Sequence, residues 1–419
     1  MNLEHILETL RISDAQEALS PFWELSCASY VPAVVLNNRQ ILRDIAAYCG
    51  LTAEEANSCV HCAETLSRSE EMSRLFYHIF RLIFETPTYE QKRYKEFPML
   101  PDLGKDAGVF YLLIVLESAI DIRAFHREKN IPEDISRDTL FDVKINVNRH
   151  ARACGGRLGV LRGVLSWFEK HNERLLYRLG RLQFHYKKAG DAVAVYRNNT
   201  DRRIVALSKA GVTYTKEGFW PVAGKEDTLS TLWVSEVSET DTTVTGNPIS
   251  PDGHAQATPI RLKKEEWTLE FSEGCGVLDI HIPEGGGMTV EACISSLKKA
   301  AAFFERYFPD LKPVAFTCRS WIFSPQYDEL YRPDANFVLF QKEVFLFPVW
   351  SSGKEGVFFV FDTEDLDLNT VETKTSLQRA MVSHLKNGGV LRAGGMFFLT
   401  QDVEHLGKQY YLSMGESEQ

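Results

Sequence analysis

The 419-residue sequence lacks an uninterrupted apolar run long enough to cross a bilayer. Its most apolar stretch, Val109 to Phe125, carries Glu117 and Asp121 and falls short of the roughly 20 residues that span a membrane. That stretch predicts a buried helix, and no membrane partner is expected. Positive charge is in deficit, with 47 basic against 57 acidic residues and a formal charge of −10. The balance disfavours a general nucleic-acid binder. Cysteine is sparse and scattered, eight residues from Cys27 to Cys318. This excludes a small disulfide scaffold and favours reduced thiols in the cytoplasm. The opening Met1-Asn2-Leu3-Glu4-His5 has neither the cationic nor the apolar region of a secretory signal, so none is expected. Self-similarity at a fixed period is also missing, which argues against a helical repeat array.

What is present is an ordinary globular composition, 44% hydrophobic and 25% charged. The length predicts two or three domains, each able to bury its own core. To about Leu176 the pattern is helical. Ser13 with Gln16 and Thr52 with Glu55 have capping-box spacing, and Leu75, Ile79, Leu82 and Ile83 recur at helical intervals. Proline and acids at Pro132-Glu133-Asp134 start another helix. After Tyr177, runs suited to strands appear at Ala192–Tyr196, Ile204–Ser208, Gly211–Thr215, Leu232–Val237 and Trp267–Phe271, with turns that include Gly224. From Gly276 the order becomes strand 277–282, helix 290–308, strand 314–318, a short helix 325–331 and strands 337–348 and 356–362. A helix at 377–385, a strand at 396–400 and a frayed tail at Gly415–Gln419 follow. The reading is a multi-domain α+β chain, with an all-helical domain over 1–176 and a mixed α/β domain over 177–419.

The segment Val277–Thr289 concentrates the chemistry. A strand places Leu278, Ile280 and Ile282 on one face and Val277, Asp279 and His281 on the other. It ends in Gly285-Gly286-Gly287 and runs into a helix with Thr289 as N-cap and Val290, Ile294, Leu297, Ala301 and Phe304 as its apolar stripe. Glycines admit close backbone approach, and the free amides of a helix start attract anions, pyrophosphate among them. A plain flexible connector is the alternative.

The order of these elements resembles the second half of a GNAT-type acyltransferase. His281-Ile-Pro-Glu-Gly-Gly, Phe303-Phe304-Glu-Arg-Tyr-Phe-Pro309 and Cys318-Arg-Ser-Trp321 with Ser324-Pro325 resemble a little-characterised bacterial family with GNAT-like N-terminal and C-terminal domains. The resemblance extends over most of the chain and is strongest from Tyr177 to Pro348. It implies an N-acyltransferase that uses acetyl-CoA or another acyl-CoA and needs no metal. The acyl-CoA would lie along Glu284, Gly285, Gly286, Gly287, Met288 and Thr289, and a small-molecule or peptide amine would accept the acyl group. Such a reaction needs a base for the attacking nitrogen and an acid for the leaving thiolate. His281 oriented by Asp279 suits the first role. Tyr327 or Tyr331 would fill the second.

Cys318, with Ser320 on the same strand face, is a further candidate as a nucleophile activated by His281. Cys59-Val-His61-Cys62 has metal-pair spacing without a second pair, which falls short of a zinc site. Lys144–Lys188 carries Arg149, Arg152, Arg157, Arg162, Arg174, Arg178, Arg181, Lys187 and Lys188, either a solvated face or an anion-facing cluster. Phe345, Phe347, Trp350, Phe358 and Phe359 read as sheet core before acyl pocket. Ile282, where GNAT turns carry a polar residue, and the acidic Glu284 favour a competing reading, a non-catalytic binding module that keeps the fold.

Overall fold

A computed structural model describes residues 2–190, 193–222, 232–363 and 365–415. Ala192, the turn at Gly224 and all but the first residue of the predicted tail lie outside the described residues. The chain forms two compact units, Met1–Leu179 and Gly180–Gln419.

The first unit is helical. Thr52 and Glu55 make the predicted reciprocal cap of helix Ala53–Ser67. Leu75, Ile79, Leu82 and Ile83 are buried on helix Glu70–Phe84, and helix Glu133–Leu140 starts after Pro132. The apolar stretch is the buried helix Ala107–Glu128. Its interrupting Glu117 has a structural reason: the carboxylate accepts hydrogen bonds from Val34 N and Val35 N at 2.9 and 2.8 Å, satisfying the first amides of helix Val34–Asn37. Ser13 differs from expectation. It lies inside a 3₁₀ turn, Ser13–Ala15, and makes no cap hydrogen bond.

In the second unit, the described strands that frame the site are β1 (Leu182–Lys188), β2 (Gly276–His281), β3 (Ala315–Ser320), β4 (Phe345–Pro348) and β5 (Gly394–Leu399). Their order is β1-β2-β3-β5-β4, with β2 and β3 parallel and every other neighbouring pair antiparallel. The crossover between β2 and β3 is helix α1 (Val290–Tyr307). Its buried face is Cys293, Ser296, Leu297, Ala300, Phe303 and Phe304, so the stripe is rotated from the predicted one and keeps only Leu297 and Phe304. Phe184, Phe316, Phe345 and Phe397 are buried in this sheet, each such side chain contributing about 1.5–3 kcal/mol. Smaller antiparallel sheets are built from strands between 193 and 271, including the predicted Ile204–Ser208 and Trp267–Phe271.

Two predicted strands are corrected. Residues 336–341 form a helix, Asn336–Gln341, and only Phe345–Pro348 of that run is extended. Gln341 anchors the helix by donating to Ile322 O and Ser324 O at 2.6 and 3.0 Å. Residues 357–361 are also helical, bracketed by left-handed Gly356 and Asp362. Short apolar runs do not distinguish a buried strand from a buried helical turn.

Candidate functional site

The site begins where the parallel pair comes apart. β2 and β3 are in register at Val277↔Ala315, Leu278↔Phe316 and Asp279↔Thr317. Beyond that point β2 runs on to His281 paired only with β1, through Ile280↔Phe184 and His281↔Gln183. β3 runs on to Ser320 paired only with β5, through Cys318↔Met396 to Ser320↔Gly394. The gap between them is crossed by a side chain, Cys318 Sγ, which donates to Ile280 O at 3.2 Å.

On one face of this opening lies a charged cluster. Directly opposed residues of neighbouring strands share a face, so Asp279 stands beside His185 of β1 and Thr317 of β3. Asp279 Oδ2 is 3.5 Å from His281 Nε2 and 2.8 Å from Lys187 Nζ. Thr317 Oγ1 donates to Asp279 Oδ1 at 3.3 Å. The ring of His185 is 6.3 Å from that of His281. The side chain of His281 is 23% exposed, open enough for a solute to reach it and enclosed enough to be held. Cys318 belongs to the other face of β3 from Thr317. Its thiol is fully buried, and burial pushes its pKa well above the ordinary value. A thiolate is the nucleophilic form, so this environment disfavours the nucleophile role.

Past β3 the chain turns through Trp321–Phe323 into the short helix Tyr327–Leu330. Tyr327 is buried between Trp321 and Phe337, with ring centroids 5.6 and 5.4 Å away. Its hydroxyl has no hydrogen-bond partner among the described residues, and burial raises its pKa. Tyr331 is different. Its hydroxyl hydrogen-bonds Ser376 Oγ at 2.7 Å, and its ring stacks on Phe337.

The glycine turn follows β2 directly. Glu284 through Gly287 are exposed, while Met288 is half-buried. Gly285 and Gly286 have φ of +85° and +67°, a region costly for other residues, and a Cβ at Gly285 would meet nothing within 4 Å. Thr289 caps α1 by accepting from Ala292 N at 3.3 Å. A cation supports the turn. Arg181 Nε donates to Gly287 O at 3.1 Å and Nη1 to Pro283 O at 2.9 Å, with Arg181 N fixed to Ser296 Oγ of α1 at 2.8 Å. The first cations of α1 itself, Lys298 and Lys299, are exposed further along the helix.

The other candidates are dispersed. Within the first unit, Cys59 and Cys62 are buried in helix Ala53–Ser67, and burial pushes Cys62 to about 12. Among the described residues no group of three His, Cys, Asp or Glu side chains is placed to hold a metal. Of the basic segment, Arg162 donates to Phe97 O and Arg174 lies 5.1 Å from the Phe125 ring. Phe345 and Phe347 are core, whereas Trp350, Phe358 and Phe359 are exposed.

With this geometry in view, residues 176–398, more than half of the chain, match the family described as a GNAT-like C-terminal domain. Residues 40–173 match the N-acyltransferase N-terminal domain. No curated protein matches the sequence. Among solved structures, an acyltransferase mutant in complex with octanoyl-CoA is similar over 95% of this chain and 99% of that chain, with a TM-score of 0.63 and 20% identity. An acyltransferase in complex with decanoyl-CoA and teicoplanin is similar over 96% and 100%, with a TM-score of 0.63 and 20% identity. A third, an acyltransferase in complex with CoA and 10C-teicoplanin, has a TM-score of 0.62 at 20% identity over 96% and 100%. At this identity the structural likeness is one of fold. The family matches establish membership: the chain belongs to the family in which an N-acyltransferase N-terminal domain precedes a GNAT-like C-terminal domain.

Proposed function

We propose that the protein transfers an acyl group from an acyl-coenzyme A to an amine. The observation that carries this reading is the parting of β2 from β3 after Asp279 and Thr317, beside an exposed glycine turn braced by Arg181. The opening offers backbone groups to a pantetheine-like chain, and the turn offers the amides at the start of an 18-residue helix to phosphates. The open space at Gly285 suits an approaching phosphate, and Arg181 supplies local positive charge against Glu284. The solved neighbours hold octanoyl-CoA, decanoyl-CoA or CoA, which supports the choice of cosubstrate.

In this reaction the amine nitrogen forms a bond to the thioester carbonyl carbon while the carbon–sulfur bond breaks. His281 takes the proton of the attacking nitrogen, and Asp279 orients its ring. The departing thiolate takes a proton from Tyr327, whose hydroxyl has no hydrogen-bond partner among the described residues. Glu284, Gly285, Gly286, Gly287, Met288 and Thr289 line the phosphate end. The acceptor is a small-molecule or peptide amine; neighbours crystallised with teicoplanin support an acceptor of that kind. We assign the activity to the cytoplasm, supported by eight cysteines of which none is in a disulfide. No helix among the described residues is long and apolar enough to cross a membrane.

The test incubates the protein with octanoyl-CoA and a panel of amines and follows acylated product by mass spectrometry, alongside the melting temperature. A ligand at 100 times its dissociation constant stabilises by about 2.7 kcal/mol, so both product and a raised melting temperature are expected. Neither stabilisation nor product would leave the non-catalytic module, which the acidic Glu284 beside the turn favours.

A further inference from the structure

We infer that Lys187 is a positioning residue of this site, one that holds Asp279 so that His281 keeps its proton on Nε2 and offers Nδ1 as the base. The catalytic part of the inference rests on the proposed acyl transfer; the spectroscopic part does not. Lys187 lies on β1 opposite Val277, two pairs from His185↔Asp279, so its side chain shares the face of Asp279 and reaches it diagonally. Its Nζ is 2.8 Å from Asp279 Oδ2, and that same oxygen is the one 3.5 Å from His281 Nε2. The second carboxylate oxygen accepts from Thr317 on the opposite neighbouring strand. The carboxylate is therefore held from both sides, with Oδ2 at 3.5 Å from the imidazole Nε2, an ion-pair distance without hydrogen-bond geometry.

Two consequences follow from elementary chemistry. An imidazole whose Nε2 faces an ionised oxygen keeps its proton there, because the reverse tautomer would set two lone pairs against each other. Losing Lys187 frees the carboxylate to rotate about its side-chain bonds, and the tautomer preference weakens. The ion pair is also dispensable for folding. Lys187 is 44% exposed, and pairs of that kind contribute only about 0–1 kcal/mol. A lysine substitution thus separates positioning from stability.

The experiment uses full-length protein with ¹⁵N-labelled histidine, the His281 signals being assigned through His281→Gln, and compares wild type with Lys187→Met and Lys187→Arg. Long-range ¹H–¹⁵N spectra at neutral pH should show His281 protonated on Nε2 in wild type, a mixture of tautomers in Lys187→Met, and the wild-type form regained in Lys187→Arg. In parallel, Lys187→Met should lower kcat about 10-fold with KM for acyl-CoA unchanged, and Lys187→Arg should restore most of the loss. An identical His281 tautomer in wild type and Lys187→Met, or a wild-type ring protonated on Nδ1, would overturn the inference. A tautomer change in a protein that acylates nothing would instead leave the positioning intact and reject the acyl transfer.

Discussion

His78 in the helical unit and His281 at the end of β2 are the same side chain in opposite circumstances. His78 is buried, and both its nitrogens are bonded, Nδ1 with Ser26 Oγ and Nε2 with Leu19 O, each at 2.8 Å. Burial lowers its pKa to about 4. It therefore remains neutral and serves as a polar joint within the core. His281 is partly exposed, ends a strand that has lost one neighbour, and faces a carboxylate held by two other strands. The contrast teaches that residue type does not mark a site; access and a prepared electrostatic partner do.

The strongest way to break the comparison is to remove each histidine in turn. His281→Ala should lower turnover by about 10²–10⁴ while the folded protein keeps its melting temperature and acyl-CoA affinity. Steady-state kinetics per folded molecule and a denaturation curve measure the two sides. A loss of stability with turnover unchanged would make His281 another core histidine.

His78→Ala should do the reverse. The substitution leaves Ser26 Oγ and Leu19 O without their partner and opens a cavity, costing about 2–4 kcal/mol of stability with kcat per folded molecule unchanged. Urea unfolding and the same assay decide the matter.

Acid sharpens the contrast further. His78 and His126 are both lowered to about 4 by burial, against about 6.5 when unfolded. The unfolded chain binds protons more readily across that interval, so their contribution is complete above pH 6.5 and is lost as pH falls from 6.5 toward 4. Each histidine accounts for about 3 kcal/mol at most. Urea midpoints measured across this window should fall in wild type, and less steeply in His78→Ala. A flat profile would contradict the burial argument.

Tyr327→Phe should have the smallest effect. Because the hydroxyl has no hydrogen-bond partner among the described residues, its removal should leave stability unchanged or slightly raised. Thiols ionise near pH 8.5, so the thiolate is a tolerable leaving group and loss of its acid should lower turnover only about 10-fold. A large destabilisation would show that the hydroxyl supports the fold.

Much of this contrast was legible in the sequence, and its gaps have physical causes. Asp279, His281, the glycine turn and the Thr289 cap are contiguous, and strand alternation places the first two on one face. Arg181, Lys187 and Thr317 reach the same site from other strands or turns, where local periodicity carries no information. Their only sequence signal was the basic stretch Lys144–Lys188, which contains two of them but also Arg162 and Arg174, bound elsewhere. The helix at 336–341 was misread because Phe337–Phe340 is too short an apolar run to reveal its period, and its anchor, Gln341, bonds carbonyls nearly twenty residues away.

The central claim, that acyl-CoA enters where β2 and β3 part, is tested most directly by a crystal structure of the protein with octanoyl-CoA. The account predicts the thioester between the ends of β2 and β3, close to His281 and Tyr327, with the phosphates on the amides of Gly285–Thr289. Ligand bound elsewhere, with the β2–β3 opening vacant and His281 away from the thioester, would contradict it.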